Sequence, residues 1–182
     1  RGMISYSRYN EPLADRIILR RIEQARSALP GALLHANTNG DYLTRTYLAE
    51  LANAGLQSLN IQIYLANDER YDHERMRAKL LAIVKKLGLP ATMAKDEAGV
   101  WLEATAEFEG IRLRVYARNF ELNGCNRGES VPIQISARRT SPCLSPFYHV
   151  YVDYNGKVMP CCNLRSDQPT HLDAVVADLR QE

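Results

Sequence analysis

The 182-residue sequence has little net charge and no long apolar run. Its 23 lysines and arginines nearly balance its 21 aspartates and glutamates, which leaves a net charge of +2. So small a charge supplies no field that favours nucleic acid or an anionic membrane, and the basic stretches are not interleaved with aromatic residues. No segment has transmembrane length and no signal-peptide core stands near the start. We therefore expect a cytoplasmic protein with neither nucleic-acid nor membrane partners.

Cysteine is scarce as well and unevenly placed. Of the four cysteines none precedes Cys125, and the other three, Cys143, Cys161 and Cys162, surround one predicted hairpin. In a reducing compartment, clustered cysteines more often indicate a metal site or catalysis than disulfides.

The first ninety residues alternate between strand and helix periodicity. Strands are predicted at 3–7, 33–36 and 59–65, with a polar loop at 37–40. Helices are predicted from about Asp15, Thr44 and Asp72, with stops at Pro30, Gly55 and Gly88. This alternation predicts βαβ units in a parallel sheet with right-handed crossovers, so the fold class is α/β. Polar loops follow the first two strands, where such folds place their ligands.

After Pro90 the sequence changes character. Four stretches, "VWLEA", "IRLRVYA", "VPIQI" and "YHVYVDY", are strand-like, and Asn155-Gly156 is a strong hairpin signal. The tail at 171–179 is consistent with a short helix. A boundary within 122–130 would separate residues 1–122 from a small cysteine-bearing part at 123–182.

The hairpin at Asn155-Gly156 brings Cys161 back toward the end from which Cys143 enters. Two converging thiolates, with Cys125 from a loop, could hold a soft metal or an iron–sulfur cluster. Adjacent strand residues point to opposite faces, so we expect only one of Cys161 and Cys162 to be a ligand and favour Cys161. Packing without any ligand explains the spacing equally well, because buried free cysteines are common.

Several stretches keep the order of the motifs of one enzyme family. They are "ISYSRYNEPL", "ANTNG" with the following "YLT", "LANAGLQSLNIQIY", "NRGES" and "SPCLSPFYHVYVDYNGKVMPCC". In this order they resemble the radical S-adenosylmethionine (SAM) superfamily, in particular members with a C-terminal SPASM or twitch extension. The first three resemble that family's second, third and fourth barrel strands. The last two resemble the segment that opens the auxiliary-cluster domain, with Cys143, Gly156 and Cys161 at the family's spacing.

The resemblance implies a fold and a set of ligands. Residues 1–122 would form part of a (β/α)6 TIM-like barrel, and 123–182 a SPASM/twitch-like iron–sulfur segment. An auxiliary [4Fe–4S] cluster would be held by Cys125, Cys143 and Cys161. The SAM-binding residues would be Asn10, Glu11 and Pro12 near the amino group, Asn37, Thr38 and Asn39 at the barrel rim, and Gln62 near the carboxylate or ribose. Without the family, an ordinary turn explains 37–39 and a helix start explains Glu11.

The resemblance also implies an activity. The parent would be a radical SAM oxidoreductase or maturase, in which a 5′-deoxyadenosyl radical abstracts hydrogen from a peptide or small-molecule substrate. A reducing partner such as flavodoxin or ferredoxin would supply electrons to a second [4Fe–4S] cluster, normally bound by a first-strand C-x3-C-x2-C motif. That motif is absent here, and the chain begins at Arg1 in a predicted strand. We therefore expect a fragment that is inactive by itself.

Two other functions stay open. The chain could be a degenerate barrel that binds a peptide or partner protein without catalysis. It could also be a zinc-stabilised α/β domain that uses three cysteines with His149 or His171, although no C-x2–4-C pair is present.

Overall fold

The computed structural model describes residues 2–66, 69–124 and 140–181. The chain divides into two compact units, Arg1–Asn119 and Phe120–Glu182. The first contains β1 Met3–Tyr6, a 3₁₀ helix Pro12–Ala14, α1 Ile17–Ala28, β2 Leu33–Thr38, α2 Arg45–Ala54, β3 Ser58–Ile63, α3 His73–Leu87, β4 Thr92–Glu97, β5 Trp101–Phe108 and β6 Ile111–Arg118. Cys125 and the strand predicted from "VPIQI" lie outside the described residues.

The first unit is built on one six-stranded sheet of order β1-β2-β3-β6-β5-β4. Strands β1, β2, β3 and β6 are parallel neighbours, whereas β4 and β5 join them antiparallel. The predicted α/β class with a mostly parallel sheet is therefore confirmed. Strand β4 was not predicted, because all of its residues are exposed and it shows no apolar alternation.

Two of the predicted helices, α2 and α3, begin and end at the predicted capping residues. The hydroxyl of Thr44 accepts from the backbone of Tyr47, and the carboxylate of Asp72 accepts from the backbone of Arg75. Gly55 ends α2 in the left-handed conformation, which glycine adopts without strain. Sequence signals for helix ends are local, and they hold here.

One face of the sheet is apolar and carries the helices. Consecutive parallel strands with right-handed crossovers place α1 and α2 on the same side. The side chains of Leu34, Leu59, Ile61, Leu113 and Leu102 are almost completely buried in one core. Each contributes about 1.5–3 kcal/mol of burial free energy.

The opposite face of the sheet is polar, and we call it the polar face. Cross-strand neighbours form three rows. The lower row is Ser5, His35, Ser58, Arg112 and Glu107; the middle row is Asn37, Asn60, Arg114 and Thr105; the upper row is Gln62, Tyr116 and Glu103. Because these residues alternate with the buried apolar ones, the strands could be assigned from sequence, but the rows depend on the register.

The second unit is small. It contains α4 Phe120–Asn123, α5 Ser145–Tyr148, β7 Tyr151–Val152, β8 Lys157–Met159, a 3₁₀ helix Pro169–Ala174 and β9 Ala177–Asp178. The strands form an antiparallel sheet of order β7-β8-β9. The predicted tail helix is thus a 3₁₀ helix followed by a strand.

The hairpin of the second unit exists but differs from the prediction. Tyr148 belongs to α5, which has a proline in its first turn, and the strand begins only at Tyr151. Val152 pairs with Val158, and the backbone of Asp153 donates to Lys157. The turn therefore holds three residues rather than two, with Gly156 at φ +78°. Across the described ranges, no helix is both long and apolar enough to cross a membrane.

Candidate functional site

The carboxylate of Glu11 joins the segments that follow β1 and β2. Its Oε1 accepts from the hydroxyl of Thr38 at 2.6 Å and from the backbone of Leu13 at 3.0 Å. Its Oε2 accepts from the backbone of Asn39 at 2.7 Å. The structure thus brings together three predicted residues, Glu11, Thr38 and Asn39, at the carboxyl ends of parallel strands. Both carboxylate oxygens are engaged by the protein itself.

The loop after β2 is held tightly below Glu11. The backbone of Gly40 donates to the Thr38 hydroxyl at 3.0 Å, and the Asn39 side chain bonds both the backbone and the carboxylate of Asp41. Gly40 has φ +84°, and a β-carbon there would lie 2.9 Å from Cγ2 of Ile61. Only glycine therefore fits without displacement.

Asn10 and Pro12 flank Glu11 in different surroundings. Asn10 is exposed, whereas Pro12 is buried at the first turn of the 3₁₀ helix that Glu11 caps. Their predicted contact with the SAM amino group stays a prediction.

Asn37 and Thr38 are strand residues, not loop residues as the sequence predicted. They pair in register with Asn60 and Ile61, which extends β2 by two residues. The side-chain oxygen of Asn37 accepts from Asn60 at 3.0 Å and lies 3.3 Å from Nε2 of His35. Asn37 therefore belongs to the polar face rather than to the loop that Glu11 holds.

Gln62 has a buried amide that is only half satisfied. Its oxygen accepts from the Tyr116 hydroxyl at 2.6 Å, and burial raises the pKa of Tyr116, so this hydroxyl stays protonated. The amide nitrogen is buried and has no hydrogen-bond partner among the described residues, while the whole residue is 8% exposed. A buried amide donor without a partner is unfavourable by about 1–3 kcal/mol.

The sequence analysis did not identify a second cluster of side chains, which lies on the polar face. The rings of Trp101 and Tyr116 stack with centroids 5.7 Å apart, and the Arg114 guanidinium lies 4.4 Å from the Tyr116 ring. Glu103 accepts from Arg114 at 2.7 Å and from the Trp101 indole at 3.0 Å. Burial acts to raise the pKa of Glu103, but these two donors outweigh it and the pKa is lowered. The alternation of apolar and polar residues in "IRLRVY" could have indicated that Arg114 and Tyr116 share the polar face.

A cleft of about 550 Å³ opens on the polar face. Its lining is mostly polar: Ser58, Asn60, Thr92, Thr105, Glu107, Arg112 and Arg114, with Pro90, Ala106 and Leu113. Ser58 and Arg112 stand at the beginnings of β3 and β6. The cleft therefore lies at the opposite end of the strands from Glu11.

The cysteines of the second unit differ in their surroundings. Cys143 and Cys162 are exposed, while Cys161 is half-buried. The Cys161 sulfur accepts from the backbone of Asn163 at 3.4 Å, inside a turn in which Leu164 donates to the Cys161 carbonyl. Backbone donors of this kind tune cysteine sulfurs that bind metal. Within residues 2–66, 69–124 and 140–181, no three metal-ligating side chains come together; the predicted third ligand, Cys125, lies outside this part.

The two histidines that could bind zinc differ in burial and in hydrogen bonding. His171 is buried and its Nδ1 accepts from the backbone of Arg165 at 3.1 Å. His149 is exposed, with Nδ1 3.4 Å from the Ser145 hydroxyl. A metal could reach His171 only through its other nitrogen, unless this backbone bond breaks.

Comparison with known proteins identifies solved structures with a similar fold. No family model matches the chain, and neither does any curated protein. Two solved structures match over the whole chain. The crystal structure of BtrN in complex with AdoMet and 2-DOIA has a TM-score of 0.67 at 19% identity, and that of selenomethionine BtrN in an open conformation has 0.55 at 16%. The chain spans 59% and 56% of these BtrN chains. At such identities the likeness is one of fold: the chain has the mixed α/β fold of a part of BtrN.

Proposed function

We propose that the chain is the SAM-binding barrel part and auxiliary-cluster segment of a radical SAM oxidoreductase or maturase. The ordered motifs support this, as does the likeness in fold to a protein crystallised with AdoMet. The single observation that carries the proposal is the gathering of Glu11, Thr38 and Asn39 at the carboxyl ends of parallel strands.

The residues at these strand ends fit SAM in a specific way. The Glu11 carboxylate is already bonded three times, so its role is to hold the backbone of the two loops in place. Backbone carbonyls around Asn10 and Pro12 would accept the SAM ammonium group. The amide nitrogen of Gln62, which has no partner in the part of the chain that the structure describes, would donate to a carboxylate or ribose oxygen.

The second unit fits a cluster through its cysteines. Cys143, Cys161 and Cys125 would be the ligands, and the backbone bond from Asn163 favours Cys161 over its neighbour Cys162. When bound, the cluster would accept an electron from the substrate or position it. The substrate would be a peptide or a small molecule.

Anaerobic reconstitution with iron and sulfide tests the cluster. We expect the protein to bind iron and sulfide and then to show the visible absorbance of a [4Fe–4S] protein. Cys143→Ser and Cys161→Ser should each abolish this loading, and the matched control Cys162→Ser should not. Equal loss in Cys162→Ser, or binding of zinc alone, would contradict the ligand assignment.

SAM binding is tested separately by equilibrium dialysis with labelled SAM. Glu11→Ala should weaken binding, while Glu23→Ala on the exposed surface of α1 should not. For the full-length parent, the assay is formation of 5′-deoxyadenosine after cluster loading. No cleavage of SAM by a fully loaded parent would refute the activity and favour a non-catalytic barrel.

A further inference from the structure

We propose that Ser58 is an activated nucleophile at the cleft, with His35 as its base and Asn37 as the group that orients His35. The cleft would take small carboxylic esters that carry an anionic group. This activity needs neither SAM nor a cluster, and its nucleophile stands at the beginning of β3, the end of the strand opposite to Glu11.

The hydrogen bonds fix which nitrogen of His35 carries the proton. Asn60 donates its amide to the side-chain oxygen of Asn37, so this oxygen is an acceptor. His35 Nε2, 3.3 Å from the same oxygen, must then be the protonated nitrogen. Nδ1 is left as an acceptor for the Ser58 hydroxyl, 3.0 Å away. A serine, a histidine and an orienting amide in this sequence of bonds match the roles of a nucleophile, a base and an orienting group.

The surroundings of His35 keep it in the form that a base requires. It is 8% exposed, and burial lowers its pKa, although the side chain of Asn37 and the backbone of Ser58 act to raise it. Its row neighbours, Ser5 on β1 and Ser58 on β3, are uncharged. The imidazole is therefore neutral at pH 7 and able to accept a proton.

The cleft places two guanidinium groups in the lining that Ser58 shares, together with the carboxylate of Glu107. Arg112 is the cross-strand neighbour of Ser58, and it forms no ion pair within the described residues, although Glu107 is directly opposite on β5. Arg114 lines the same cleft and is held by the Trp101 and Tyr116 rings, with one nitrogen bonded to Glu103. A fixed guanidinium loses little side-chain entropy when it binds a carboxylate.

The reaction balances without any other reactant than water. Ser58 Oγ attacks the ester carbonyl while its proton moves to His35 Nδ1, and Arg112 stabilises the resulting oxyanion. The carbon–oxygen bond to the leaving alcohol breaks as His35 returns the proton to that alcohol. Water then repeats the sequence on the acyl-serine and releases the acid.

A fluorophosphonate probe tests the nucleophile directly. We expect modification of Ser58, located by peptide mass spectrometry, at a rate well above that of other serines. His35→Gln should slow labelling by about 10²-fold or more, as expected for loss of a general base. Ser5→Ala is the matched control, because Ser5 is next to His35 in the same row but bonds Ser7 instead. This control should label like the wild type.

Two 4-nitrophenyl esters test the ligand class. We expect faster hydrolysis of the anionic hemisuccinate than of the neutral acetate, and loss of both activities in Ser58→Ala with unchanged circular dichroism. Arg114→Gln should remove the preference for the anionic ester but keep acetate hydrolysis, whereas Arg112→Gln should reduce both by about 10²-fold.

Labelling of Ser58 no faster than Ser5, or labelling that His35→Gln leaves unchanged, would overturn the proposal. SAM binding and cluster loading should be the same in Ser58→Ala as in the wild type. The failure of this inference is thus distinguishable from failure of the proposed radical chemistry.

Discussion

Replacing Glu11 by alanine removes a side chain that joins the segments after β1 and β2. Three donors lose their acceptor: the Thr38 hydroxyl and the backbone groups of Leu13 and Asn39. Thr38 is 4% exposed, so water replaces the carboxylate poorly at its hydroxyl. The backbone donor of Asn39 lies in a half-buried loop that water can reach more easily, whereas Leu13 is only 1% exposed.

The magnitude follows from these surroundings. A hydrogen bond to a charged group contributes about 1.5–3 kcal/mol when its partners are buried, and less when solvent can compete. Taking the bonds from Thr38 and Leu13 near the lower buried value and discounting the half-exposed one from Asn39, we expect Glu11→Ala to lower the free energy of unfolding by about 2–4 kcal/mol. Glu11→Gln keeps the shape but has one acceptor oxygen, so its effect should lie between alanine and wild type.

Urea unfolding followed by far-UV circular dichroism measures this effect. Glu23→Ala is the control, because Glu23 is exposed on α1 and the substitution also removes one negative charge. The control should lie within about 0.5 kcal/mol of the wild type. A Glu11→Ala protein as stable as the control would show that the carboxylate does not hold the two loops together.

Three further predictions concern the loop after β2 and the polar face. Gly40→Ala should destabilise the chain by about 1–3 kcal/mol in urea, because its backbone is left-handed and a β-carbon would contact β3, whereas Gly31→Ala, with open space around it, should not. Burial lowers the pKa of His35 in the folded state below 6.5, so the unfolded chain binds the proton first. The free energy of unfolding should therefore fall as the pH decreases below about 6.5, and His35→Gln should flatten this fall; an unchanged profile would contradict it. Tyr116→Phe removes the donor to the Gln62 oxygen and should lower stability by about 1–2 kcal/mol, measured as a shift of the urea midpoint.

Part of the candidate site was predictable because its signals are local. The turn after β2 contains Gly40, whose left-handed backbone conformation favours glycine over other residues. Glu11 precedes a proline at the start of a helix. Their placement at the ends of parallel strands follows from the βαβ pattern. The bond between them, across 27 positions of the sequence from Glu11 to Thr38, is not visible in either segment alone.

The cysteine hairpin shows why the remaining features could not be predicted. Asn155-Gly156 indicated a turn correctly, but the number of residues in it was wrong by one. Side chains on a strand alternate with period two, so one residue of slip exchanges the faces on which they lie. The spacing of the cysteines therefore could not show which sulfur accepts the hydrogen bond from the Asn163 backbone, because the geometry of the turn decides it.

Local sequence signals are sufficient to predict the order of strands and helices in the first ninety residues, the caps of α2 and α3, and the apolar stripes that make one core. These depend on the nearest few residues along the chain, whose periodicity and backbone preferences act without the rest of the protein. The packing of the sheet decides that His35 meets Ser58 and that Arg114 lies against Trp101 and Tyr116. It also decides that the amide nitrogen of Gln62 has no hydrogen-bond partner among the described residues. The contact of His35 with Ser58 joins β2 to β3, and that of Gln62 with Tyr116 joins β3 to β6. The register that brings these residues together is set by the packing of the whole sheet on its helices.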